Sequence, residues 1–169
     1  LLEEHASMVE KLVLEEGPAR VEIQVLSEIE ELLSDQDSSL QSFLVKILDK
    51  TSELLGADTG TISIIKTING KHWLLVEDED GKLWGAKSRA WKKNRIPPLP
   101  VGGEEIPEEL RSLTGYCAHI ARPVLVDDVA KPEQTRGFYR NLSSSIQSEL
   151  AVPIISGGGV LGIINQDSF

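Results

Sequence analysis

The chain has 169 residues, 40% of them hydrophobic, and a formal net charge of -10. That length and apolar content suit one globular domain with a helical extension, and so acidic a chain grips phosphate backbones and anionic bilayers poorly, so no nucleic acid and no membrane insertion are expected. A single cysteine, Cys117, excludes an intrachain disulfide and a cysteine-based zinc site, and no apolar stretch is long enough to span a bilayer. With no signal peptide visible either, the expected setting is a reducing cytoplasm, and the start at Leu1 suggests a piece of a longer protein.

Residues 1–14 place Leu2, Ala6, Val9 and Val13 on one helical face, with Glu and Lys over much of the rest. Gly17-Pro18 breaks that helix, and Pro18 suits the first turn of a second. There Val21, Val25, Ile29 and Leu32 form a stripe at a spacing compatible with a coiled-coil seam. These helices either pack on their own domain or form a homodimer contact and signalling rod. Residues 34–38 are a polar break. Leu40, Phe43, Leu44, Ile47, Leu48 and Thr51 then recur at helical spacing until Gly56, a C-cap. Residues 61–66 read as a strand, Asn69-Gly70 as a hairpin turn, residues 73–76 as the returning strand, and residues 82–86 as a short third one.

Between them the run Glu77-Asp78-Glu79-Asp80-Gly81 reads as a solvated acidic turn, since a calcium loop would need ligands that are missing after Gly81. Residues 87–109 have no clean period; their prolines and glycines, with a basic first half and an acidic second, suit a long solvated loop or a lid. Residues 110–121 read as a helix interrupted near Gly115, residues 123–126 as a strand, and residues 132–145 as a loop with a helix. The strongest signal is the final hairpin. Apolar runs 150–155 and 160–164 flank Ser156-Gly157-Gly158-Gly159, and both are apolar enough to be central strands covered on both faces. Truncating Leu150 or Val152 to Ala is therefore expected to cost roughly 2–4 kcal/mol.

Motifs that carry catalysis are not found. There is no phosphate-binding G-x-x-x-x-G-K-[ST] loop, no G-x-S-x-G elbow and no H-E-x-x-H, and the triple glycine is a turn. His5, His72 and His119 fall in different elements, so no metal site is expected. Cys117 and His119 are two apart, a spacing that points helical side chains in different directions, and Cys117 reads as a small buried residue. No catalytic residue is assigned, and the chain is expected not to be an enzyme.

Residues 115–168 resemble the second half of a GAF domain. The resemblance rests on Gly115-x-x-Ala118, on Arg122-Pro123-Val124-x-Val126 with Asp128-Val129, and on SELAVPIISGGGVLGIINQDS from Ser148 to Ser168. A weaker match extends it back to about residue 38. It implies an α+β fold: a central antiparallel β-sheet of about five or six strands flanked by helices. Residues 37–169 would form this domain and residues 1–36 the helical extension. In the family a closing helix normally follows the last strand, but here the sequence ends at Phe169. The N-terminal helices are therefore expected to cover that face of the sheet, with homodimerisation through Val21, Val25, Ile29 and Leu32 as the favoured form.

The family also allows activities to be tested residue by residue. Pigment-carrying members attach a bilin to a Cys in the segment that here reads TRGFYRNLSSSIQ, which has none. Cyclic-nucleotide members carry Asn-Lys after the last strand, where this chain has Asn165-Gln166-Asp167, and the family's free-methionine-sulfoxide reductases need cooperating cysteines. The resemblance implies a sensory or regulatory module that binds an unidentified small molecule and relays it to an output domain outside this sequence; the alternative is a dimerisation module without a ligand, and the cofactor is unknown. Family ligands lie beneath the 87–147 segment. Strand alternation puts Ser63 on one face, as it does Glu149 with Ala151 and Asn165 with Asp167, while Phe138 and Tyr139 would supply an apolar lid. These polar residues either line a pocket or sit at strand ends in solvent.

Overall fold

The computed structural model describes Ser27 and residues 39–91, 95–143 and 145–169. The expected N-terminal helices, with Val21, Val25, Ile29 and Leu32, lie outside the described residues. Helix α1, Leu40–Leu55, begins where Ser39 accepts the Ser42 N–H at 3.2 Å and ends at Gly56, whose φ of 65° closes the last turn. Its apolar stripe docks Leu48, which is fully buried, against Ile62 and Ala86, with Leu44 and Ile47 alongside.

The sheet is antiparallel. Its strands are β1 (Thr59–Ile68), β2 (Lys71–Leu75), β3 (Ala86–Lys87), β4 (Leu99–Pro100), β5 (Val124–Val126), β6 (Ser148–Ser156) and β7 (Gly159–Ser168), in the order β4-β2-β1-β7-β6-β5 with β3 beside the start of β1. The described residues form seven strands rather than five or six because β4, two residues long, comes from the 87–109 stretch, which has no readable period. Both hairpins turn on two residues of positive φ, Asn69-Gly70 and Gly157-Gly158, as tight turns between twisted strands require. The third strand expected over residues 82–86 is shorter and pairs with β1 instead of extending the first hairpin.

Helix α1 covers one face of the sheet. The other lies beneath helix α2 (Leu113–Ile120) and the loops that carry Trp91, Ile96 and Ile146. Helix α2 runs unbroken through Gly115, where an interruption was expected. A Cβ there would lie 2.3 Å from the Pro100 carbonyl, so the glycine permits close packing on β4 and does not end the helix. Between α1 and β7 a polar clasp stands beside the apolar packing of Ile164. Ser52 Oγ donates to Gln166 Oε1 at 2.7 Å, and Gln166 Nε2 donates to Thr51 Oγ1 at 2.8 Å.

The final hairpin is less enclosed than its sequence suggests. Leu150 and Val152 are only half-buried on the α1 face, and Ile155 and Leu161 are exposed near the tip. Leu48→Ala should thus cost about 2–4 kcal/mol in urea melts, and Leu150→Ala roughly half of that. Equal losses at the two sites would contradict this packing.

Candidate functional site

The β1, β6 and β7 strands present their polar residues to one face because side chains alternate along a strand. Thr61 and Ser63 come from β1, Glu149 from β6, and Asn165 and Asp167 from β7. Register makes them neighbours: Thr61 lies opposite Asn165, and Glu149 opposite Asp167. All five are buried, with Asp167 at 1% exposure and Glu149 at 9%. They form the floor of a cavity of about 50 Å3. Leu74, Val76 and Leu99 extend the wall, Trp91, Ile96 and Ile146 close it from the covering segments, and Ser112, Leu113 and Thr114 come from the start of α2.

Asn165 Nδ2 donates to Asp167 Oδ1 at 2.9 Å. That leaves Asn165 Oδ1 and Asp167 Oδ2 buried without a hydrogen-bond partner among the described residues. Burial and the proximity of Asp167 push the Glu149 carboxyl well above the usual carboxylate range. Burial raises Asp167 to about 7, although the Asn165 amide pulls the other way. Two acids facing each other across a dry strand pair resist joint ionisation. Buried polar atoms ordinarily find partners, so this floor is built to meet something polar.

The covering segment is tied down by an ion pair. Glu77, expected in a solvated turn, is instead 6% exposed; both carboxylate oxygens accept from Lys87 Nζ, at 2.9 and 2.8 Å, and Oε1 also accepts the Ile96 N–H at 2.9 Å. Burial alone would raise its pKa, but the hydrogen bonds from Lys87 and Ile96 and the charges of Lys87 and Arg95 bring it below the usual range. The rest of the turn is solvated as expected, with Asp78 Oδ1 accepting the Asp80 and Lys82 N–H groups.

Of the residues expected at a ligand site, Ser63, Glu149, Asn165 and Asp167 line the cavity. Ala151 shares their face but lies in the apolar cluster with Cys117 and Ile163. Phe138 is no lid over the cavity: its ring stacks on Tyr116 at 4.2 Å and packs against Leu113 and Val126. Tyr139 is half-buried, and its phenol is pushed up by burial and by the Glu149 and Asp167 charges. Arg140, the next residue, lines the cavity and was not anticipated; nor was Trp91, the aromatic in the basic stretch. Cys117 is fully buried, and its thiol donates to the Arg122 carbonyl at 3.1 Å. Burial raises it to about 12, which keeps it a thiol. Among the described residues no group of three or more His, Cys, Asp or Glu side chains is placed to hold a metal ion, and no helix is long and apolar enough to cross a membrane.

The sequence model of the GAF domain matches residues 39–168. The chain belongs to the GAF domain family. Solved structures agree with it in fold. The GAF domain of an Acinetobacter phosphoenolpyruvate-protein phosphotransferase superposes with a TM-score of 0.62 at 16% identity, over 88% of this chain and 77% of that one. The A. aeolicus nlh2 GAF domain in an inactive state gives 0.57 at 20%, over 87% and 78%. The free methionine-R-sulfoxide reductase of Neisseria meningitidis, in complex with its substrate, gives 0.57 at 22%, over 85% and 71%. No curated protein matches the sequence. GAF domains are generally sensory or regulatory modules, but some with this fold are enzymes, as the reductase is.

Proposed function

We propose that this GAF domain is a cytoplasmic sensory module that binds a small molecule in the cavity over β1, β6 and β7 and relays its presence to an output domain. The observation that carries the reading is the pair of buried acceptors, Asn165 Oδ1 and Asp167 Oδ2, without a partner among the described residues, in the floor of the cavity. Ligand would favour one arrangement of the surrounding helices, which is a population shift. The Gln166 clasp gives it a physical route, since Gln166 sits between Asn165 and Asp167 and grips α1 on the opposite face. The N-terminal stripe Val21, Val25, Ile29 and Leu32 would carry the change through a homodimer. The reading is non-enzymatic, and it is supported by the state of Cys117: a buried thiol held near 12 is neither a nucleophile nor a redox centre at neutral pH.

Thermal-shift screening against a metabolite library tests the reading. The expected result is a compound that raises the melting temperature and loses its effect on Ser63→Ala. A different outcome favours a ligand-free dimerisation module: no compound stabilises the chain, while Val25→Glu with Ile29→Glu converts a dimer to a monomer in light scattering.

A further inference from the structure

If the cavity is a ligand site, as proposed above, its floor also constrains the ligand. We infer that the ligand presents a compact cationic nitrogen, an ammonium, amidinium or guanidinium head on a short apolar stem, to Glu149, Asp167 and the Asn165 carbonyl oxygen. The Asn165 amide donates to Asp167 Oδ1, so its own oxygen is left as an acceptor beside Asp167 Oδ2. Glu149 stands directly opposite Asp167, and among the described residues no hydrogen bond or ion pair reaches it. Three acceptor groups thus converge, two of them acids.

The alternatives fit less well. An anion would add charge to the pair of acids. A neutral hydroxyl would satisfy the hydrogen bonds but leave both acids facing each other. A bare divalent ion needs more hard oxygen ligands than two carboxyls and one amide supply, and the described residues hold no metal-binding cluster. A cationic nitrogen donates several N–H bonds and neutralises the acids in one step. A cavity of about 50 Å3 has room for a head of only a few atoms, roughly three to five water-sized spheres. The remaining wall, including Leu74, Val76 and Leu99, is apolar and suits the stem. Arg140 lines the same cavity and disfavours a second positive charge, so a monocation is selected over a diamine.

The charged and titratable groups around the pair are Tyr139, Cys117 and Arg140. Burial and the acids hold the Tyr139 phenol up, and burial with Glu149 holds the Cys117 thiol near 12, so both stay neutral below pH 8. The response to pH between 6 and 8 therefore belongs to Glu149 and Asp167. Binding a cation must expel the proton they hold, so affinity should rise as that proton is lost, about tenfold from pH 6 to pH 8.

The test is calorimetry and thermal shift on the full chain with chloride salts of ethylammonium, acetamidinium and methylguanidinium, at matched ionic strength. Controls are sodium acetate, sodium nitrate, acetamide, ethylenediammonium, and magnesium and calcium chloride. The expected result is binding of at least one monocation, tighter at pH 8 than at pH 6 and lost in Glu149→Gln and Asp167→Asn. Circular dichroism melts establish that the variants fold, and the wild-type pH profile is informative without them. Binding of acetate, nitrate or acetamide in a Ser63-dependent way, without the cations, overturns the ligand class but leaves the cavity a ligand site. Equal stabilisation by magnesium or calcium overturns the organic head. If neither these probes nor any library compound binds, both the class and the ligand-binding reading fall.

Discussion

Lys87→Ala should destabilise the domain by about 3–5 kcal/mol, the loss typical when one partner of a buried ion pair is removed. Its side chain is 11% exposed and its ammonium lies 2.8 Å from Glu77, whose side chain is 7% exposed, so truncation strands a carboxylate where water reaches it poorly. The Ile96 N–H remains as a partner but carries no full charge. Because Ile96 closes the cavity, its amide should also exchange faster with solvent in the variant. Replacing both partners, Glu77→Leu with Lys87→Met, should recover much of the loss, since matched apolar groups often equal a buried pair. Urea melts at pH 7 measure all three chains; a loss under about 1 kcal/mol in Lys87→Ala would mean that the pair is effectively solvated.

Stability should fall as pH rises through neutrality, the reverse of ordinary acid denaturation. Asp167 has a usual value of 3.8 and is raised to about 7 in the folded chain, and Glu149 is raised beside it. A carboxyl raised on folding holds its proton longer in the native state, so its contribution is full below about pH 4 and is lost as pH passes through 7. For Asp167 alone this is worth up to about 4 kcal/mol. Glu77 is shifted downward, so its contribution is lost only as pH falls below the ordinary carboxylate range, outside this window. Urea melts from pH 5 to pH 8 should show a decline of about 2–4 kcal/mol in the wild type and a smaller decline in Asp167→Asn, where burial still holds Glu149 up. Parallel slopes for the two chains would remove the shared-proton picture.

The parts of this structure that depend on local pattern were legible in the sequence. Helix α1 follows from its 3.6-residue period and Gly56, and the first hairpin from Asn69-Gly70. Period-two alternation put Glu149 with Ala151 and Asn165 with Asp167 within their own strands, but the register that brings them beside Ser63 is set between strands and was not legible. Features set by distant partners were not legible. Glu77 looks like its acidic neighbours, and only Lys87 and Ile96 draw it inward. Strand β4 is only Leu99 and Pro100, directly after Pro97-Pro98, and is defined by β2, not by its own composition. Phe138 and Tyr139 are adjacent aromatics in an irregular segment, where no period says whether either faces the cavity; both pack in the cluster with Leu113 and Val126, and Phe138 stacks on Tyr116.

The sheet is sewn along a single seam. Strands β1 to β4 belong to the first half of the domain over residues 39–168 and β5 to β7 to the second, and among the described residues only the pairing of β1 with β7 joins the two sets of strands, Thr59 pairing with Asp167 over a hundred residues later. Thr61 and Ser63 stand on one side of that seam and Glu149, Asn165 and Asp167 on the other. During synthesis β1 must wait for almost the whole domain to leave the ribosome before its partner exists, with its edge unpaired in the meantime. Joining the halves bears the entropy of a long closure, which places the domain among slow folders, on a scale of milliseconds to seconds. No partly folded intermediate can hold the cavity, so a ligand that fits it can act only on molecules whose last strand has docked.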